Sequence, residues 1–111
     1  MLDQKKCVPC QGGIPPLSTE EIKSYLLKLD EEWKVENDKK IYKCYQFKFY
    51  REAQIFVNSI ADLAENEGHH PYIHFNFKNV IVFLFTHKID GLHENDFIMA
   101  AKCDIIYSNM K

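Results

Sequence analysis

The chain has 111 residues, and its 14 Lys and Arg against 16 Asp and Glu give a formal net charge of −2. A hydrophobic fraction of 46% and a charged fraction of 27% are ordinary for one small globular domain, and they exclude intrinsic disorder, collagen-like sequence and a disulfide-dense miniprotein. The mildly negative charge disfavours direct nucleic-acid binding, and the longest apolar run, residues 80–85, is far too short to span a membrane.

The first 17 residues are predicted to form an irregular N-terminal arm, because they hold three of the four prolines and two of the four glycines. The single folded domain is then expected over residues 18–111. No apolar signal-peptide core is visible, so we expect a cytoplasmic protein with reduced cysteines. Cys7 and Cys10 form one C-x-x-C, but it lacks the second ligand pair of a zinc site and the strand and helix of a thioredoxin motif. We assign this pair no chemistry.

Four elements are predicted in the next part of the chain: a helix, the two strands of a hairpin and a second helix. They span residues 19–29, 33–36, 41–49 and 51–66. Ser18 and Glu21 fit the capping box of the first helix. Asn37 and Asp38 are a turn signal between the strands, and Gly68 suits the C-terminal cap of the second helix.

A second hairpin is predicted over residues 71–86, where apolar side chains alternate with polar ones. With Lys78 and Asn79 at the turn centre, four pairs share the sheet face directed at the helices. These pairs are Phe77 with Val80, Phe75 with Val82, Ile73 with Leu84 and Pro71 with Thr86. The next pair outward is His70 with His87, so two imidazoles are predicted to meet at the open end of the hairpin.

A third helix is predicted over residues 94–107. The element order is then α-β-β-α-β-β-α, and consecutive hairpins favour an α+β fold in which an antiparallel sheet carries all three helices on one face. The other face combines polar with large apolar residues and has no helix to cover it, which predicts self-association. In the second hairpin, its residues are Tyr72, His74, Asn76, Ile81, Phe83 and Phe85.

The histidines carry the predicted chemistry, because the ring of His69 can join those of His70 and His87 in one cluster. Like-charge repulsion discourages simultaneous protonation, so one ring can donate a proton while another accepts one. Two alternatives remain open. Adjacent histidines in a loop are commonly exposed and inert, and three histidines can bind zinc with a fourth position open to water. The spacing lacks a helical His-x-x-x-His pair, which places zinc below acid–base chemistry.

Two carboxylates can support this cluster or serve only the helices. Asp96 lies at the start of the third helix, where a carboxylate interacts favourably with free amides and the helix dipole. It can orient an imidazole instead, provided that this helix start lies beside the histidines. Glu65 lies in the last turn of the second helix, and from the pattern alone we favour simple solvent exposure.

The signature region of the pterin-4a-carbinolamine dehydratases resembles the run EGHHPYIHFNFKNVIVFLFTHKIDGLHENDFIMAAKCD. The family shares Glu-x-x-x-His-His-Pro, a Thr-His after the last strand and Gly-Leu-x-x-x-Asp before the final helix. The matching residues here are Glu65, His69, His70, Pro71, Thr86, His87, Gly91, Leu92 and Asp96. His93 departs from the Ser or Thr that usually caps the last helix, which predicts a weaker cap. A looser resemblance covers residues 17–106.

The resemblance implies a four-stranded antiparallel sheet backed by three helices and assembled into homodimers or homotetramers. It also implies dehydration of 4a-hydroxytetrahydropterin, in the form of 4a-hydroxytetrahydrobiopterin, to quinonoid dihydropterin. This reaction recycles the product of aromatic amino acid hydroxylases and needs no metal or organic cofactor. Animal members also act as dimerisation cofactors of a homeodomain transcription factor, so a non-catalytic coactivator is the alternative. A metal-dependent hydrolase is the third possibility, and it predicts stoichiometric zinc.

The implied reaction removes hydroxide from C4a and a proton from N5, so one positioned acid and one positioned base suffice. We predict that His70 and His87 handle these protons, that His69 shares or orients them, and that Asp96 supports the cluster. Substrate-binding residues are predicted around the flat pterin ring. They are Glu65, Pro71, Thr86, Lys88 and Ile89.

Overall fold

The structure is a computed structural model, and it describes residues 1–9 and 12–110. The described residues form three α-helices, four β-strands and two short 3₁₀ helices. In chain order, the strands and α-helices are α1 (Thr19–Leu26), β1 (Lys34–Glu36), β2 (Lys40–Gln46), α2 (Tyr50–Glu67), β3 (Tyr72–Asn76), β4 (Asn79–Leu84) and α3 (Glu94–Asn109). The 3₁₀ helices span Leu2–Gln4 and His87–Ile89. The predicted α-β-β-α-β-β-α order is confirmed.

The four strands form one antiparallel sheet in the order β1-β2-β4-β3. β4 is a central strand, and its alternate residues Val80, Val82 and Leu84 are fully buried against the helices. Ile41 and Tyr45 of β2 extend this buried face. The α+β class with an antiparallel sheet is therefore confirmed, and the core lies between the sheet and the helices.

The local signals of the first half are confirmed, with shifted ends. Ser18 and Glu21 form the expected capping box at the start of α1. This helix ends three residues before the predicted boundary because the amides of Lys28 and Leu29 bond carbonyls only three residues back, as in a 3₁₀ turn. Gly68 adopts the left-handed conformation at φ 69° and caps α2.

The predicted register of the second hairpin is wrong by two residues. The observed pairs are Tyr72 with Phe83, Ile73 with Val82, His74 with Ile81, Phe75 with Val80 and Asn76 with Asn79. The predicted pairs Phe77 with Val80, Phe75 with Val82, Ile73 with Leu84 and Pro71 with Thr86 are therefore incorrect. The predicted faces survive, because a shift of two residues returns every side chain to the same side of the sheet.

The turn residues explain the true register. Phe77 and Lys78 form the two-residue turn, and Phe77 has a positive φ of 54°. A positive φ is unusual for a bulky residue, so sequence preferences move the turn towards Asn79 instead. Phe77 is exposed in the structure, and its ring stacks on Tyr50 with centroids 6.2 Å apart.

The N-terminal segment, described over residues 1–9 and 12–17, packs against the rest of the chain. Leu2 is buried in the core, and its 3₁₀ helix contacts α3. The Lys102 ammonium donates to the carbonyl of Asp3 at 3.1 Å, and Lys5 pairs with Glu94 at 2.8 Å. These contacts attach the segment to the start and the middle of α3. No helix in the described part of the chain is both long and apolar enough to cross a membrane.

Candidate active site

Two chain reversals position the histidines. His69 and His70 directly follow the left-handed Gly68 cap of α2. His87 begins the 3₁₀ helix that follows β4, and this turn is closed by a bridge in which the Thr86 amide donates to the Gly91 carbonyl at 2.8 Å. Both reversals lie at the same end of the sheet as the start of α3.

The predicted pairing of His70 with His87 across the hairpin is wrong. His70 precedes β3 and His87 follows β4, so neither residue belongs to the strand ladder. Both nevertheless line one cavity of about 460 Å³, together with His69. This volume lies in the range of small-molecule sites. The chain reversals, and not cross-strand pairing, bring the three histidines to a common cavity.

Asp96 connects α3 to this cavity. Its side chain is fully buried, and its carboxylate accepts three hydrogen bonds. The donors are His69 Nε2 at 2.6 Å, Thr86 Oγ1 at 2.8 Å and the His93 amide at 3.0 Å. Neutral His69 therefore carries its proton on Nε2 and keeps Nδ1 as an acceptor. The start of α3 does lie beside the histidines, as an orienting role for Asp96 requires.

Glu65 holds the second imidazole in a very different environment. Its Oε1 lies 2.6 Å from Nε2 of His70, but the two side chains are 79% and 60% exposed. Exposed pairs of this kind contribute little to stability, because water competes for both groups. The contact can orient the His70 ring without fixing it as firmly as Asp96 fixes His69.

The remaining predicted site residues divide into two groups. Thr86 and Lys88 line the cavity with the histidines. Pro71 and Ile89 are not among the described residues that line it, and Ile89 is instead buried. The predicted wall is therefore formed in part by other residues.

The N-terminal segment supplies cavity residues that the sequence analysis missed. Val8 and Pro9 line the cavity, and so does Asn95 at the start of α3. The Asn95 amide bonds the main chain of Val8 at both its amide and its carbonyl. No local pattern could reveal this contact, since the partners are 87 residues apart in sequence.

His93 caps α3 with its ring. The sequence predicts a weaker cap at this position, yet Nδ1 of His93 accepts a hydrogen bond from the Asn95 amide at 2.9 Å. The Asp96 carboxylate bonds the His93 amide in return, which completes a capping box. The imidazole thus takes the place of the usual hydroxyl.

The C-x-x-C motif is described only at its first cysteine. Cys7 is partly buried, and burial together with the nearby Glu67 carboxylate raises the pKa of its thiol to about 12. The thiol is therefore protonated near neutral pH and is a poor nucleophile. Cys10 lies outside the described residues. Within residues 1–9 and 12–110, no group of three or more His, Cys, Asp or Glu side chains is arranged to hold a metal ion.

Comparison with known proteins gives a consistent result. A family model described as Pterin 4 alpha carbinolamine dehydratase matches residues 15–106. Curated relatives that carry the name "Putative pterin-4-alpha-carbinolamine dehydratase" match nearly the whole chain. The one from Alkaliphilus metalliredigens is 52% identical over 93% of this chain and 93% of its own length. The one from Rickettsia bellii is 48% identical over 95% of this chain and 93% of its own.

Solved structures share the fold. A transcriptional coactivator/pterin dehydratase from Brucella melitensis has a TM-score of 0.78 and 32% identity, and the match covers 83% of this chain and 98% of that one. A pterin dehydratase-like protein, described as a RuBisCO assembly factor in the alpha-carboxysome, has a TM-score of 0.60. At 24% identity over 68% of this chain and 89% of its own, it supports the fold alone.

Proposed function

Because this chain belongs to the pterin 4 alpha carbinolamine dehydratase family, we propose that it dehydrates 4a-hydroxytetrahydrobiopterin to quinonoid dihydropterin. One observation carries the proposal: the family's three histidines line a single cavity of about 460 Å³, and one of them is anchored by a buried aspartate. The protein then acts as a cofactor-independent hydro-lyase in tetrahydrobiopterin recycling, in the cytoplasm, on the product of an aromatic amino acid hydroxylase.

The chemistry requires two proton movements at the pterin ring. An imidazolium gives a proton to the C4a hydroxyl as the C–O bond breaks, and water leaves. A neutral imidazole takes the proton from N5, and the electron pair of that N–H bond forms the C4a–N5 double bond. The two rings together donate one proton and accept one, so their total charge is unchanged. A proton transfer from the ring that accepted to the ring that donated then restores the starting state. Each positioned group contributes about 10² to 10⁴ in rate.

The contacts of each ring support different roles. We assign the two proton transfers to His70 and His87, whose side chains are exposed at the cavity. His69 is held through Nε2 by Asp96, which suits a ring that orients the substrate or shares a proton. Glu65, Thr86 and Lys88 are assigned to positioning and binding around these rings, while Pro71 and Ile89 remain proposals without a contact at the cavity.

Replacement of His70 or His87 by Ala tests the proposal. We expect kcat/KM for dehydration, followed by ultraviolet absorbance, to fall by about 10²-fold or more. The melting temperature should change little, because both side chains are exposed. His74→Ala is the matched control, since His74 is an exposed histidine on β3 that does not line the cavity. A double variant of His70 and His87 that keeps full activity would refute the assignment.

A second candidate function uses a different surface. The sheet face away from the helices carries Tyr72, which is 66% exposed, with Phe83 and Phe85 beside it at a shallow cavity. We propose that this face mediates a homodimer or homotetramer, and a non-catalytic coactivator would use the same face. That role does not require His70 or His87, so it would survive in the double variant of these two residues. A zinc-dependent hydrolase would instead lose activity with a chelator.

A further inference from the structure

The side chain of Asn95 forms two hydrogen bonds with the main chain of the N-terminal segment. Its Oδ1 accepts from the amide of Val8 at 3.0 Å, and its Nδ2 donates to the carbonyl of Val8 at 2.6 Å. Asn95 is almost fully buried, and a carboxamide is the short side chain that supplies both an acceptor and a donor. The two bonds fix the position of Val8 much as a neighbouring strand would.

Further bonds attach the same segment to the end of α2. The Cys7 amide donates to Glu67 Oε1 at 2.8 Å, and the Cys7 thiol approaches the Asn95 carbonyl at 3.7 Å. Glu67 also pairs with Lys102 at 3.6 Å. The segment is therefore held between the end of α2, which leads into His69, and the start of α3, which carries Asp96.

The clamp on the Val8 backbone does not serve to bury its side chain. Val8 is 56% exposed and lines the cavity that holds the three histidines, and Pro9 lines it next to Val8. Proline fixes its own φ and has no amide hydrogen, so this part of the wall is stiff and apolar. Such a surface suits the flat face of a bicyclic ring, while the histidines supply the polar contacts.

We propose that Asn95 is a positioning residue that holds Val8 and Pro9 as an apolar wall of the substrate cavity, and that this wall sets the affinity for the pterin. The inference rests on the proposed function for the identity of the ligand. The polar groups that move protons come from the ends of α2 and β4. The apolar surface that holds the ring comes from Val8 and Pro9, and Val8 is 87 residues away from Asn95 in sequence.

Variants of Asn95 and Val8 test the wall directly. In Asn95→Ala the amide of Val8 loses its acceptor, so its hydrogen exchange should accelerate at least tenfold. KM for 4a-hydroxytetrahydrobiopterin should rise by about fivefold while kcat stays within about twofold, because the wall binds substrate and does not transfer protons. Val8→Trp keeps the clamp but fills the cavity, and it should also raise KM. Asn95→Asp keeps the acceptor for the Val8 amide but places a carboxylate oxygen against the Val8 carbonyl, so it should raise KM at least as much as Asn95→Ala.

Ile14→Trp is the matched control for Val8→Trp. Ile14 is also a β-branched apolar residue of the N-terminal segment, 39% exposed, and it is not among the described residues that line the cavity. Its KM should equal that of the parent. If the parent is active and KM is unchanged in both Asn95→Ala and Val8→Trp, the proposed role of the wall is wrong, and the proposed function still stands. A parent that neither dehydrates this pterin nor binds 7,8-dihydrobiopterin would overturn the proposed function and the wall together.

Discussion

Two aspartates on α3 each collect three hydrogen bonds, yet only one of them is joined to histidines. Asp96 is bonded by His69 Nε2, Thr86 Oγ1 and the His93 amide. Asp104 is bonded by Trp33 Nε1 at 2.9 Å, Lys43 Nζ at 2.9 Å and the Tyr45 hydroxyl at 2.6 Å. Asp104 lines a cavity of about 520 Å³, and Asp96 lies behind a cavity of about 460 Å³ that is lined by its partners His69 and Thr86. Neither cavity size nor the number of bonds separates the two regions.

The kind of donor does separate them. The indole of Trp33 does not titrate, and burial together with the nearby Cys103 and Asp104 raises the pKa of the Tyr45 hydroxyl far above its usual range. The protons that Trp33 and Tyr45 donate to Asp104 therefore stay on those two side chains near neutral pH. Asp96 instead bonds an imidazole, the side chain whose charge ordinarily changes near neutrality. A buried carboxylate becomes a functional candidate through a partner that can exchange a proton.

Removing the structural aspartate should give the largest effect, and it should fall on stability. Asp104→Ala leaves the nearly buried Lys43 with Asp30, 3.6 Å away, as its one ion-pair partner among the described residues. It also removes the acceptor of Trp33 and Tyr45. We expect the free energy of unfolding to fall by about 3 kcal/mol, measured by urea denaturation. The dehydration rate per folded molecule should stay within about twofold.

A double variant separates the charge from the packing in this region. Asp104→Ala combined with Lys43→Met should cost less than the sum of the two single changes, because the ammonium no longer lacks its partner. If Asp104→Ala slowed the chemistry of the folded protein by tenfold, the distinction between the two aspartates would be lost.

Neutralising the second aspartate should mainly affect activity. In Asp96→Asn, one oxygen can still accept from Thr86 and the His93 amide, but the new NH₂ group then faces Nε2 of His69. His69 must accept there and carry its proton on Nδ1, which reverses its tautomer. We expect kcat/KM to fall about tenfold to hundredfold, equal to about 1.4 to 2.7 kcal/mol.

Nitrogen NMR of the His69 ring would check the cause of that loss. The parent should show the proton on Nε2 and the variant should show it on Nδ1. A variant with the parent's tautomer and the parent's rate would remove Asp96 from the site. A large loss of stability with normal activity would show that Asp96, like Asp104, has a structural role.

Much of the fold follows from local sequence signals. Ser18 and Glu21 identify the start of α1, and Gly68 identifies the end of α2, because caps and turns are decided by neighbouring residues. The faces of β4 follow from alternation. The register of the hairpin does not follow from alternation, since a pattern with a period of two is the same after a shift of two residues. The turn does not reveal it either, because Phe77 is not a residue type that usually takes a positive φ.

The site was predictable only where its residues are close in sequence or carried by family resemblance. His69, His70, His87 and Asp96 were expected together, and they do meet at the cavity or directly behind it. The sequence does not predict the contribution of Asn95 and the N-terminal segment. The hydrogen bonds between Asn95 and the backbone of Val8 join distant parts of the chain, and no local sequence pattern indicates them. The contacts of Asp104 with Trp33, Lys43 and Tyr45 also join distant parts of the chain, so local patterns do not predict them.

Replacing the exposed carboxylate of Glu65 should have a smaller effect than replacing Asp104 or Asp96. Glu65→Gln removes a charge 2.6 Å from His70, but both side chains are largely in water, where the pair is worth less than about 1 kcal/mol. We expect kcat/KM to fall only about twofold, and the parent should lose a similar amount in 0.5 M salt because screening weakens the same contact. Steady-state rates of Glu65→Gln and the parent at low and high salt measure this, with Asp96→Asn as the comparison. A loss equal to that of Asp96→Asn would show that Glu65 is shielded when substrate is bound, since a carboxylate in open water cannot exert so large an effect.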